Sequence, residues 1–76
     1  MRILVDQEGY EAVIGAVYWD FRHENQYRLD RIDAPTKPSS TGRVQCTRVY
    51  PINKENAGDE GREFFPGVLN LEWRDQ

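Results

Sequence analysis

Cysteine occurs once, at Cys46, and histidine once, at His23. A single cysteine excludes an intramolecular disulfide framework, and one histidine excludes any site built on a histidine pair. No phosphate-cradling glycine loop followed by lysine is present, and no Cys-x-x-Cys pair. No apolar run is long enough to cross a membrane. The start, MRILVDQEGY, reaches Asp6 too soon for a secretory leader. A cytoplasmic protein that begins at its own Met1 is the expectation, with the lone thiol kept reduced and packed as a small hydrophobe. The sequence has 76 residues and a net charge of −3 from 13 acidic and 10 basic side chains. A chain this short makes one domain with a thin core. So mild an acidic balance gives no general attraction to polyanions, which bind through displaced counterions.

The charges are nevertheless uneven. Arg22, Arg28, Arg31, Arg43 and Arg48 fall in the middle, and residues 55–63 are acidic and glycine-rich. A locally basic face on an acidic protein is compatible with that distribution.

The hydrophobic pattern is that of strands. Ile3, Leu4 and Val5 form a short apolar start, stopped by DQEG. EAVIGAVYWDF reads as one long strand with Val13, Val17, Trp19 and Phe21 on the buried face, and Gly15 marks a bend or bulge. RHENQ reads as the turn of a hairpin, with His23 as a solvated turn residue. YRLDRID is the return strand; its imperfect parity predicts a bulge near Asp30, which lets Leu29 and Ile32 share a face.

APTKPSSTG is a loop rich in proline, serine and glycine. RVQCTRVYPI is the next strand, with Val44, Cys46 and Tyr50 on one face and Pro51 at its end. NKENAGDEGREFFPG is a long polar loop. VLNLEW alternates, which predicts a strand with Leu69, Leu71 and Trp73 inward. Five short strands joined by glycine- and proline-rich connections imply a mainly-β single domain, a small five-stranded SH3-like or OB-like barrel over residues 1–76.

Two local resemblances bear on function. The stretch carrying Arg28, Leu29, Ile32, Asp33, Ala34 and Pro35 resembles the active-site segment of thermonuclease-type (staphylococcal-nuclease-like) OB-fold domains. That resemblance implies Arg28 on a phosphate and Asp33 on a calcium ion. Thr36 stands where the family's water-activating glutamate belongs, and the upstream Gly-Asp-Thr is missing, so the resemblance implies a degenerate site rather than a nuclease. The longer stretch with Trp19, Arg22, Tyr27, Arg28, Leu29, Asp30, Arg31 and Ile32 is similar to the closing hairpin of WYL-type SH3-like barrels, which implies ligand or nucleic-acid sensing.

Read from the residues alone, alternating arginine and aspartate make cross-strand ion pairs that blunt an edge. Tyr18 and Tyr27, flanked by Arg22, Arg28 and Arg31, form a candidate surface for stacking single-stranded nucleic acid, with Trp19 and Phe21 inside. Glu55, Asp59, Glu60 and Glu63 form a candidate acidic contact. Of Phe64 and Phe65, one is expected to plug the core and the other to anchor a partner.

With no catalytic set, cofactor or metal ligands evident, the leading expectation is a non-enzymatic protein-binding module. Its narrower form is a phage or mobile-element inhibitor, anti-CRISPR or otherwise counter-defensive, that blocks a host nucleic-acid-handling protein. Nucleic-acid binding through the arginine-rich hairpin is the alternative, and a homodimer is a further expectation. No membrane partner is expected.

Overall fold

The computed structural model describes residues 2–51 and 61–75. Within them the chain forms six strands, one more than expected: β1 (Arg2–Val5), β2 (Val17–Trp19), β3 (Gln26–Asp33), β4 (Arg43–Tyr50), β5 (Arg62–Phe64), which lies where a loop was expected and pairs with β4, and β6 (Glu72–Asp75). A 3-10 turn at Pro66–Leu69 precedes β6, and no α-helix occurs among the described residues. The strands make two antiparallel sheets. β2, β3, β4 and β5 form a four-stranded meander, while β1 and β6 pair to bring the two ends of the chain together. The result is a small mainly-β domain whose strand pairing, among the described residues, does not close into a barrel.

β3 and β4 are the longest strands and carry the core. Tyr27 and Leu29 from β3 point inward beside Val44 and Cys46 from β4, and Leu4, Leu69 and Leu71 complete the cluster. Leu29, Val44 and Cys46 are fully buried. The register between β3 and β4 shifts twice. One shift is at Val49, between the Gln26–Tyr50 and Tyr27–Arg48 pairs, and puts Tyr50 out of phase with Val44 and Cys46. The other lies where the parity of YRLDRID requires it. Leu29 faces Cys46 and Arg31 faces Gln45, so Asp30 is the extra residue. It swings to the outer face and allows Leu29 and Ile32 both to point inward.

The segment before β3 departs from the long strand expected over residues 11–21. Only Val17–Trp19 pairs as a strand. Glu11 instead bridges Val5, and Gly15, at φ 94°, turns the chain from the two-stranded sheet toward the four-stranded one. The Gly15 N–H donates to Leu29 O at 2.7 Å, and the Leu29 N–H donates to Ala16 O at 2.9 Å. This corner sets the opposite face of β2 to the core. Val13, Val17, Trp19 and Phe21, expected inside, are all exposed.

Tyr18 and Tyr27, expected as a surface pair, lie opposite one another on the inner side. Tyr27 is 6% exposed, and Tyr18 packs against the core. The Tyr18 hydroxyl accepts the Val13 N–H at 3.0 Å, which holds the preceding loop down. The physical reason for the reversal is packing. A small core has room for one face of β2, and the register with Tyr27 selects it.

The C-terminal apolar run also differs in conformation. Pro66 starts a 3-10 turn where a strand was expected, since proline presets φ and removes a donor. Asn70, left-handed at φ 57°, ends the turn by donating its N–H to Gly67 O. Leu69 and Leu71 are buried as the alternation implied, and Trp73 packs at the core margin with its indole N–H on Thr41 O at 2.7 Å.

Candidate functional site: an exposed aromatic edge beside an acidic loop

The β2–β3 hairpin is organised by Asp20. Its Oδ1 accepts the N–H groups of Arg22 and Glu24, and its Oδ2 accepts Asn25 Nδ2–H at 2.8 Å. Burial raises the Asp20 carboxyl. The hydrogen bonds from the Asn25 side chain and from the Glu24, Asn25 and Arg22 backbones outweigh that, so it titrates below the ordinary 3.8. With the turn gathered round a carboxylate, His23 takes a left-handed conformation at φ 56° and stacks on Trp19, ring centroids 5.8 Å apart.

Tyr50, at the end of β4, meets the same indole edge-on at 5.8 Å. Val17 lies two residues away on the same strand face, also exposed. Trp19, Tyr50, His23 and Val17 thus make an aromatic and aliphatic surface at the hairpin end of the larger sheet.

This surface adjoins a cleft of about 280 Å³. One wall is β2, with Val17 and Trp19. The other is formed by Leu69 and Asn70 and by the turn carrying Asp6 and Glu8. Asp6 Oδ1 accepts the N–H groups of Glu8 and Tyr10, which fixes that turn. Sequence reasoning missed this site because it put Trp19 and Tyr50 on inward faces. The available signal was excess: the core accommodates few large residues, so some of this chain's aromatics had to remain outside.

The arginine-rich candidates lie on the outer face of the sheet, already neutralised. Arg28 Nε–H donates to Asp30 Oδ1 at 2.7 Å, and Thr47 Oγ1–H donates to Asp30 Oδ2 at 2.6 Å. The hydrogen bond from Thr47, with help from Arg28, holds the Asp30 carboxyl below the usual range despite partial burial. Arg31 Nε–H donates to Asp33 Oδ1 at 2.7 Å. Arg22 lies over the Phe21 ring at 5.1 Å on the hairpin, away from these pairs.

Glu63 faces Arg43 at 3.6 Å. The two phenylalanines divide. Phe64 packs on the core and meets Tyr27 edge-on at 4.9 Å, while Phe65 is exposed under the Arg43 guanidinium at 3.9 Å. Glu55, Asp59 and Glu60 lie outside the described residues.

The residues present do not fit the calcium site that the thermonuclease resemblance implies. Asp33 is engaged by Arg31, Thr36 offers no carboxylate, and no group of three metal-ligating side chains occurs among the described residues. Nor is Cys46 a nucleophile in this setting. Burial, with a smaller contribution from the Asp30 charge, pushes its thiol up to about 12.

No protein-family model, curated protein or solved structure matches the chain. The two local resemblances therefore rest on their quoted residues alone.

Proposed function

We propose that this chain is a non-enzymatic protein-binding module that engages its partner through the Trp19 surface. The observation that carries the reading is the exposure of Trp19, 39%, with its ring held between His23 and Tyr50. A tryptophan presented on a rigid strand, its orientation set by neighbouring rings, is what an interface hot spot requires. Exposed Val17 and Phe21 on the same hairpin extend the apolar area.

The finer architectural reading is an SH3-like or OB-like small barrel opened between its two sheets. It is supported by the meander and by the return of the last strand to the first. The narrower role, a phage or mobile-element inhibitor such as an anti-CRISPR protein acting on a host nucleic-acid-handling protein, draws on the same exposed aromatic surface, through which such a module would block its target. Nucleic-acid binding through Arg28 and Arg31 is the weaker reading, because both guanidinium groups are engaged by aspartates on their own strand.

The test is a tagged pull-down with and without nuclease digestion, using the native protein, Trp19→Asp, and a combined Arg28→Ala and Arg31→Ala variant. A partner retained after digestion, kept by the arginine variant and lost by Trp19→Asp, is the expected outcome. Retention that collapses on digestion and on arginine replacement would reverse the order of the two readings.

A further inference from the structure

The backbone of β2 has one paired edge and one open edge. Tyr18 is paired with Tyr27, and the Asp20 N–H donates to Asn25 O, so the even-numbered residues face β3. Alternation then turns the N–H and C=O groups of Val17 and Trp19 the other way. Phe21 shows where that way leads: its N–H donates to Val68 O at 2.8 Å, beside the cleft. The Phe21–Val68 bond ties the hairpin end of that edge to the 3-10 turn. Farther along, the same edge runs open past Leu69, Asn70 and the Asp6–Glu8 turn.

We propose, resting on the protein-binding reading above, that the partner contributes an extended peptide segment with a basic side chain, which adds to the β2 edge inside this cleft. Two observations select this occupant. First, the cleft has two walls. A strand that enters must be free on both sides, which a second copy's β2, bonded to β3 along one edge, is not. Second, that wall carries Asp6 and Glu8, with the Arg74 guanidinium, itself paired with Glu72, beside Gly9 at the end of the same turn. Among the described residues neither Asp6 nor Glu8 has a cationic partner, whereas Arg28, Arg31, Arg43 and Arg74 are each held by a carboxylate. A lysine or arginine on the entering segment would meet Glu8, while backbone groups of the segment satisfy Val17 and Trp19 and its apolar side chains rest on Trp19.

The test uses amide-resolved NMR and hydrogen exchange on the full chain. The probes are a lysine-valine-threonine-valine-lysine pentapeptide, its fully N-methylated analogue, and the analogue with glutamate in place of both lysines. The expected result is that the lysine peptide shifts the Val17 and Trp19 amides and slows their exchange. N-methylation abolishes binding, since it removes every backbone donor. Exchanging lysine for glutamate weakens binding by about tenfold, and Glu8→Lys weakens the lysine peptide by a similar factor.

Equal binding of the N-methylated peptide would overturn strand addition, and equal binding of the glutamate peptide would overturn the basic occupant. Protection of Val17 and Trp19 that rises with protein concentration alone would assign the edge to a second copy. Absence of binding by all three peptides would overturn the proposal, yet a Trp19-dependent partner in the pull-down would still leave the broader protein-binding reading in place.

Discussion

Asn25 Nδ2–H donates to Asp20 Oδ2 at 2.8 Å, across a hairpin whose backbone N–H groups at Arg22 and Glu24 converge on the other carboxylate oxygen. One nearly buried carboxylate thereby shapes the turn that presents Trp19 and His23. Asp20→Ala is expected to lower stability by about 2 kcal/mol, because charge-assisted bonds are lost and donors are left unpaired. The same substitution should broaden the Trp19 fluorescence environment. Asp20 titrates below 3.8 in the folded chain, so its contribution is complete above that value and disappears as pH falls through its lowered pKa. Denaturant midpoints from pH 6 down to pH 2 should therefore converge for the native protein and Asp20→Asn; a constant gap between the two would contradict this account.

Cys46 gives the opposite pH dependence. Its thiol is raised to about 12 in the fold from 9.0, so its stabilising effect is complete below 9.0 and is lost as pH rises toward about 12. In that window the unfolded chain releases the proton first, which favours unfolding by roughly 1.4 kcal/mol per pH unit. Urea unfolding at pH 8 and pH 10 should show a smaller loss for Cys46→Val than for the native protein. Equal losses would mean that the thiol ionises as easily inside as outside.

Gly42 is buried between the loop and β4, at φ 69°, and a Cβ there would overlap the Asp33 carbonyl oxygen and crowd Ala34 and Pro35. The loop over residues 34–42 therefore closes on a position that only glycine fills without strain. Gly42→Ala should cost at least about 2 kcal/mol from the close backbone approach together with the left-handed conformation. Gly15→Ala, at φ 94° with open space around it, should cost less, about 1 kcal/mol. Paired thermal melts of the two variants check the order.

Much of the architecture follows from local pattern. β3, its bulge at Asp30, and the shared face of Val44 and Cys46 on β4 are legible, because alternation along a strand reports which residues share a face. Leu69 and Leu71 are buried as expected, but from a 3-10 turn and the residue before β6 rather than from one strand. The division of Phe64 from Phe65 agrees with the expectation of one inside and one outside, but the strand β5 (Arg62–Phe64) that turns Phe64 inward lies where a loop was expected. Alternation determined which residues share a face; it did not determine which face is buried.

For β2 both faces were apolar, and only the register against Tyr27, set by the corner at Gly15, decided that Tyr18 goes in and Trp19 stays out. The partners of the arginines were likewise decided in three dimensions, because the Asp30 bulge places Arg28, Asp30 and Thr47 on one outer face. The cleft beside Glu8 depends on where a turn near the start of the chain and a 3-10 turn near its end meet the open side of β2. Sequence determined β3 and β4 and their capacity to form a core, through the period of their side chains. Tertiary structure decided which aromatics remain at the surface, because a core this small has space for only one side of each strand.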